Sequence, residues 1–143
     1  MGTANIFSSE LTSGQDRICP LFDATVPAGF PSPAADYEQT PLDLNRHLVS
    51  NAPATFFVRV SGYSMIGAGI HPDDLLIVDR SLEPKDKSVV IVNLNGETMV
   101  KRLRIKNRRV YLEADNEDYP DFIVVQEDEL EVWGVVTYVI HAL

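Results

Sequence analysis

The chain has 143 residues, 45% of them hydrophobic, and a formal net charge of −9. That is enough apolar material for one core of ordinary domain size, and the acidic balance lacks the positive footprint of a nucleic-acid binder, so no direct nucleic-acid binding is expected. The longest apolar stretch, around 132–143, falls short of the roughly 20 residues a membrane-crossing helix needs, the N-terminus lacks a basic start followed by an apolar run, and the lone Cys19 has no disulfide partner; together these read as a cytoplasmic protein without membrane contact.

In chain order, residues 1–40 are rich in Pro, Gly, Ser, Thr and Ala and show no sustained periodicity, which reads as an extended, mobile N-terminal arm. Pro27, Pro31 and Pro33 remove backbone donors and hold the preceding residues extended, making 25–33 non-helical and accessible. Within it the Ala28-Gly29 bond is flanked by the two smallest side chains, with Phe30 just beyond. The spacing of Leu42, Leu44 and Leu48 predicts one short helix over 43–49, ended by the breaker at 51–53. From there the pattern is strand, over 55–60, 75–79, 88–94, 98–105, 109–113, 122–125 and 130–140. Asn95-Gly96 is a type I′ hairpin signal. The last strand is apolar on both faces, with Val132, Val136, Tyr138 and Ile140 opposing Trp133, Val135 and Val139; one face meets the core and the other a second subunit or a covering loop. The expected architecture is mostly β, with an arm over 1–40 and a β-rich domain over 41–143.

Two polar residues in apolar settings carry the chemistry. Read as a strand, 98–105 puts Met99, Lys101, Leu103 and Ile105 on one face and Val100, Arg102 and Arg104 on the other. Lys101 therefore points to the oily side, where desolvation disfavours the ammonium and yields an amine able to take a proton. Ser64, in Ser61-Gly62-Tyr63-Ser64-Met65, is the matching hydroxyl, and a serine beside a neutral lysine is a variant of the triad. The bland readings are that Ser64 is a turn residue and that Lys101 carries its head to water. The basic residues Lys101, Arg102, Arg104, Lys106, Arg108 and Arg109 read as the solvated side of a hairpin, the acid-rich 113–131 as loops and turns, and Asp79, Glu83 and Asp86 as solvated loop acids. His71-Pro72-Asp73-Asp74 reads as a Pro-containing turn rather than a metal site, and no metal or other cofactor is expected. Nothing in the sequence places Cys19 beside His47, His71 or His141 as a thiol protease would require.

Taken together, Phe30-Pro-Ser-Pro-Ala-Ala-Asp36-Tyr37, Ser61-Gly-Tyr-Ser-Met-Ile66, Gly69-Ile70, Asp73-Asp-Leu-Leu-Ile-Val-Asp79, Val100-Lys101 and Trp133-Gly-Val-Val136 resemble the LexA/UmuD family of self-cleaving Ser-Lys peptidases, and within it the UmuD-type SOS mutagenesis proteins. The resemblance runs from about residue 20 to the end. It implies Ser64 as nucleophile, Lys101 as general base and then general acid, Ala28-Gly29 as the scissile bond, and backbone N–H groups at Ser64 or Met65 as oxyanion donors. It further implies a homodimer, stimulation by a RecA filament on single-stranded DNA, and a Y-family, UmuC-like polymerase partner for translesion synthesis. Tyr63 stands where enterobacterial relatives carry an acid, and Ala28 where they carry cysteine. No helix-turn-helix is read ahead of the arm, so a repressor is not expected. Two rival readings are a non-catalytic dimeric interaction module that regulates a polymerase, and a signal-peptidase-like protease acting in trans.

Overall fold

A computed structural model describes residues 17–31, 33 and 38–143. Residues 1–16 of the expected arm and 32 and 34–37 of the Phe-Pro-Ser-Pro block lie outside them. The chain divides into two compact units, Met1–His47 and Leu48–Leu143.

In the first unit, β1 (Cys19–Phe22) pairs antiparallel with β2 (Gln39–Leu42), Cys19 opposite Leu42 and Phe22 opposite Gln39. The arm expected to lack regular structure thus contains a two-stranded ladder, and all but one of its eight strand residues are exposed. Four-residue strands are too short for an alternating pattern to stand out, and Pro20 and Pro41 argue locally against them. Between the strands, Thr25–Pro31 has no helix or strand and is exposed throughout, as its prolines require. Helix α1 (Leu44–Leu48) follows; the Asp43 carboxylate accepts from the backbone N–H groups of Asn45 and Arg46 at 3.1 and 3.4 Å, capping its first turn.

The second unit is a seven-stranded antiparallel sheet made of β3 (Thr55–Arg59), β4 (Leu75–Asp79), β5 (Val89–Leu94), β6 (Glu97–Lys106), β7 (Arg109–Glu113), β8 (Phe122–Val124) and β9 (Leu130–Ile140), in the order β3-β4-β9-β5-β6-β7-β8. The β5–β6 turn is the predicted one: Asn95 and Gly96 both have positive φ, 53° and 86°, as type I′ requires. The β6–β7 turn repeats the device with Asn107 and Arg108.

Side-chain alternation divides the core between the two faces of the sheet. Ile91 joins Val60, Met65, Ile70, Leu76 and Val78, whereas Val90, Val92 and Leu94 join Leu103 and Leu112. On β9 the predicted alternation fails. Val132 and Val135 both pack into the second cluster while Val136 packs against the first. Two register shifts account for this: Ile91 and Val92 oppose Gly134 and Val132, and Ile77 and Val78 oppose Tyr138 and Val136, leaving Trp133 and Thr137 as extra residues. Each bulge reverses the facing of the residues beyond it. A Cβ on Gly134 would sit 2.7 Å from Val78 Cγ1, so the strands close at this point only around glycine.

Asp79 departs from the solvated reading. It is buried, and its Oδ1 accepts from the backbone N–H of Ser81 at 2.8 Å and from the Ser81 hydroxyl. Satisfied locally, the carboxylate tolerates burial. The basic face of β6 is neutralised by the acids nearby: Arg104 by Asp86 and Glu113, and Lys106 by Glu113. No helix among the described residues is long and apolar enough to cross a membrane.

Candidate active site

The site is built from the turn after β3 and the middle of β6. Gly62, at φ +84°, takes a conformation that costs a non-glycine residue about 1–2 kcal/mol and turns the chain out of the strand. Met65 then anchors the segment in the core at 2% exposure. Its carbonyl accepts from the N–H groups of Ala68 and Ile70 at 3.0 and 3.2 Å, closing a compact loop around the 3₁₀ turn Ile66–Ala68. Ser64 is held half-buried between the exposed Tyr63 and the buried Met65. The N–H groups of residues 66–70 are all committed to carbonyl oxygens. Among the described residues, the N–H groups of Ser64 and Met65 donate to no backbone carbonyl.

Lys101 stands opposite Val90 in the β5–β6 ladder and is 6% exposed. Its Nζ lies 5.7 Å from the centre of the Phe122 ring and 6.0 Å from that of Tyr119. Burial pushes its pKa below the ordinary lysine value, and the Asp121 carboxylate opposes this only in part. The two rings also favour the cation. Neither ring was singled out for this role from the sequence, which marks 113–131 only as acid-rich loops and turns.

Ser64 and Lys101 line the same cleft, of about 150 Å³, between residues 60–65 and 98–101. That is below the roughly 300–1,000 Å³ typical of small-molecule pockets, and it suits a stretch of polypeptide flanked by small side chains. A larger hollow, about 790 Å³, lies among residues 17–18 and 41–47, but neither serine nor lysine lines it. Chemistry rather than size therefore selects the smaller cleft. Ala28 and Gly29 are exposed in the irregular stretch of the first unit.

A clamp that sequence reading missed fixes the serine turn. The Asp115 carbonyl accepts from Gly67 N–H at 2.7 Å, and the Asn116 side-chain amide donates to the Tyr63 carbonyl at 2.9 Å. The Asp115 carboxylate is gripped by Arg102 through Nε at 3.0 Å and Nη2 at 2.6 Å, while Arg102 Nη1 donates to the Lys87 carbonyl at 2.7 Å. Arg102 follows Lys101 on the opposite face of β6, so one strand positions both halves of the site. Such bidentate, charge-assisted pairs are the strong ones. No local pattern marks Asn116 or Asp115, because their partners lie more than a dozen residues away in sequence.

Residues 20–137 match the Peptidase S24-like family. The chain is 45% identical to protein ImpA of Escherichia coli over 130 residues, covering 90% of this chain and 88% of that protein. It is 46% identical to protein SamA of Salmonella typhimurium over 122 residues, 85% and 84% of the two chains. With protein MucA of Escherichia coli it shares 40% over 137 residues, 94% and 91% of the two chains.

Proposed function

The chain belongs to the Peptidase S24-like family of self-cleaving serine peptidases, and we propose that it cuts its own arm at Ala28-Gly29 with Ser64 as nucleophile and Lys101 as base. The observation that carries this reading is that the buried Lys101 and Ser64 line one cleft. Neutral Lys101 takes the proton from Ser64 Oγ as the oxygen attacks the Ala28 carbonyl carbon. The N–H groups of Ser64 and Met65 receive the oxyanion. When the C–N bond breaks, the Lys101 ammonium returns the proton to the departing Gly29 nitrogen. Water, deprotonated by Lys101, then hydrolyses the Ala28 ester on Ser64 and frees the serine. Because the substrate is tethered, a single slow turnover suffices, and tethering supplies much of the entropy a bimolecular reaction must find.

On this reading residues 1–40 are the arm that carries the scissile bond and 41–143 the peptidase and dimerisation domain. The biological setting is SOS mutagenesis in the cytoplasm. A RecA–single-stranded-DNA filament stimulates cleavage, and the trimmed homodimer serves as accessory subunit of a Y-family, UmuC-like polymerase. Likeness to proteins ImpA, SamA and MucA supports this assignment.

The test is intact mass after mildly alkaline incubation of wild type, Ser64→Ala and Lys101→Ala, with and without activated RecA. A fragment beginning at Gly29 in wild type alone is expected. Cleavage that persists in Ser64→Ala overturns Ser64 as the nucleophile, and none in any sample overturns the reading in favour of a non-catalytic interaction module.

A further inference from the structure

A second cluster of chemical groups stands apart from the Ser64–Lys101 cleft, where the end of β9 meets the turn into β4. Leu75 pairs with Ile140 at the end of the β4–β9 ladder, so the residues just beyond that pair, Asp74 and His141, come together across the sheet. His141 Nδ1 lies 2.5 Å from Asp74 Oδ1. His71 enters from the other end of the turn, with its Nδ1 3.7 Å from Asp74 Oδ2 and its ring centre 4.8 Å from that of His141. One ligand atom from each of the three residues falls within 4.8 Å of the other two.

Three features distinguish this from a chance meeting of surface groups. Asp74 is 2% exposed, and its placement is fixed from several sides. The His71 backbone N–H donates to Asp74 Oδ2 at 2.8 Å, the Asp74 carbonyl accepts from Val60 N–H, and Asp73 N–H donates back to the Val60 carbonyl. Asp73, with φ of 70°, takes the left-handed position that a Pro-initiated type II turn requires. Finally, His71 Nδ1 is buried without a hydrogen-bond partner, and buried polar atoms are rarely left so.

We propose that His71, Asp74 and His141 form a binding site for one divalent transition-metal ion of borderline softness, Zn²⁺ being the best fit. Two imidazoles and one carboxylate are a donor set of the Zn²⁺ type, leaving a fourth position for water. With metal–ligand bonds of about 2.1 Å, the 3.7 Å between His71 Nδ1 and Asp74 Oδ2 corresponds to an angle of about 120° at the metal, close to tetrahedral. His141 Nδ1 now sits on the other carboxylate oxygen, Oδ1, and has to turn from it towards a metal held between His71 Nδ1 and Oδ2. Its side chain is 42% exposed and it follows the last strand residue, so it is free to do so. The proton His141 Nδ1 shares with Asp74 leaves to solvent as the metal takes its place. Bound metal would pin residue 141 to the turn that follows the serine loop and so hold the end of the β4–β9 ladder closed. The sequence shows only the His71–Asp74 half; the third ligand lies 67 residues beyond Asp74.

The test titrates ZnCl₂ into the tag-free full chain by calorimetry, with His71→Gln and His141→Gln in parallel and the thermal midpoint as a second readout. One equivalent bound in the micromolar range is expected, with a raised midpoint. Each variant should weaken binding more than about tenfold, since losing even an outer-shell partner costs about 10–100-fold. In wild type, one equivalent should shift the ring resonances of His71 and His141 but not those of His47, a reading that needs no variant to fold. Absence of stoichiometric binding, or binding that both variants retain, overturns the proposal.

Discussion

Gly67→Ala tests whether the clamp on the serine turn sets the geometry of the reaction. A Cβ at position 67 would lie 2.6 Å from the Asp115 carbonyl oxygen, where ordinary contact begins at 3.4 Å. The turn or the Asp115 backbone must therefore retreat by the difference, 0.8 Å. Neither yields easily, because Asp115 is held by Arg102 and the turn by Met65. Overpacking of this kind costs about 1–3 kcal/mol, and stretching the 2.7 Å Gly67 N–H bond to Asp115 adds about 0.5–1.5 kcal/mol. For a urea slope of about 2 kcal/mol per M, the unfolding midpoint followed through Trp133 fluorescence falls by about 1–2 M. A displacement near 1 Å costs a positioned reaction about 100-fold, so self-cleavage by intact mass should slow by that order even in urea-free buffer where the variant is folded. Gly96→Ala is the control. At φ +86° it loses about 1–2 kcal/mol of stability but leaves cleavage unchanged. If Gly67→Ala cleaves within about twofold of wild type with an unchanged midpoint, the clamp does not position Ser64 and the reasoning fails.

Asn116→Ala removes the donor to the Tyr63 carbonyl and the acceptor of the Asp118 N–H, about 0.5–1.5 kcal/mol each; cleavage should slow by up to about tenfold and the urea midpoint fall by about 0.5–1.5 M, and Asn116→Asp, which keeps the acceptor but not the donor, should restore the midpoint in part and fail to rescue cleavage. The depressed pKa of Lys101 predicts cleavage that accelerates as pH rises and the amine loses its proton. The same shift governs stability. Between the lowered folded pKa and the unfolded value of 10.5 the unfolded chain binds the extra proton, so the cost of burying the ammonium is full below the folded pKa and is relieved as pH rises. Lys101→Met should therefore be inactive yet more stable than wild type at neutral pH, with an advantage that shrinks towards about pH 10, measured by thermal unfolding across the range. An advantage that grows with pH would contradict a lowered lysine pKa.

The amino-acid sequence determined everything that rests on neighbours in the chain. Period-two alternation marked the sheet strands and turned Lys101 inward. Asn95-Gly96 dictated its own turn because few other residue pairs accept two positive φ angles. The prolines around Ala28-Gly29 kept that bond out of regular structure, and the order of short motifs gave the family. Tertiary structure decided what depends on partners far along the chain. The bulges at Trp133 and Thr137 overrode alternation because β9 must match two strands of different register at once. The β1–β2 ladder is too short to leave a periodic trace. Asn116 and Asp115 acquire their role only because β6, β7 and the loop after them return to the serine turn. His71, Asp74 and His141 meet because β4 and β9 lie side by side, a pairing fixed by cross-strand packing over the whole sheet that no single segment encodes.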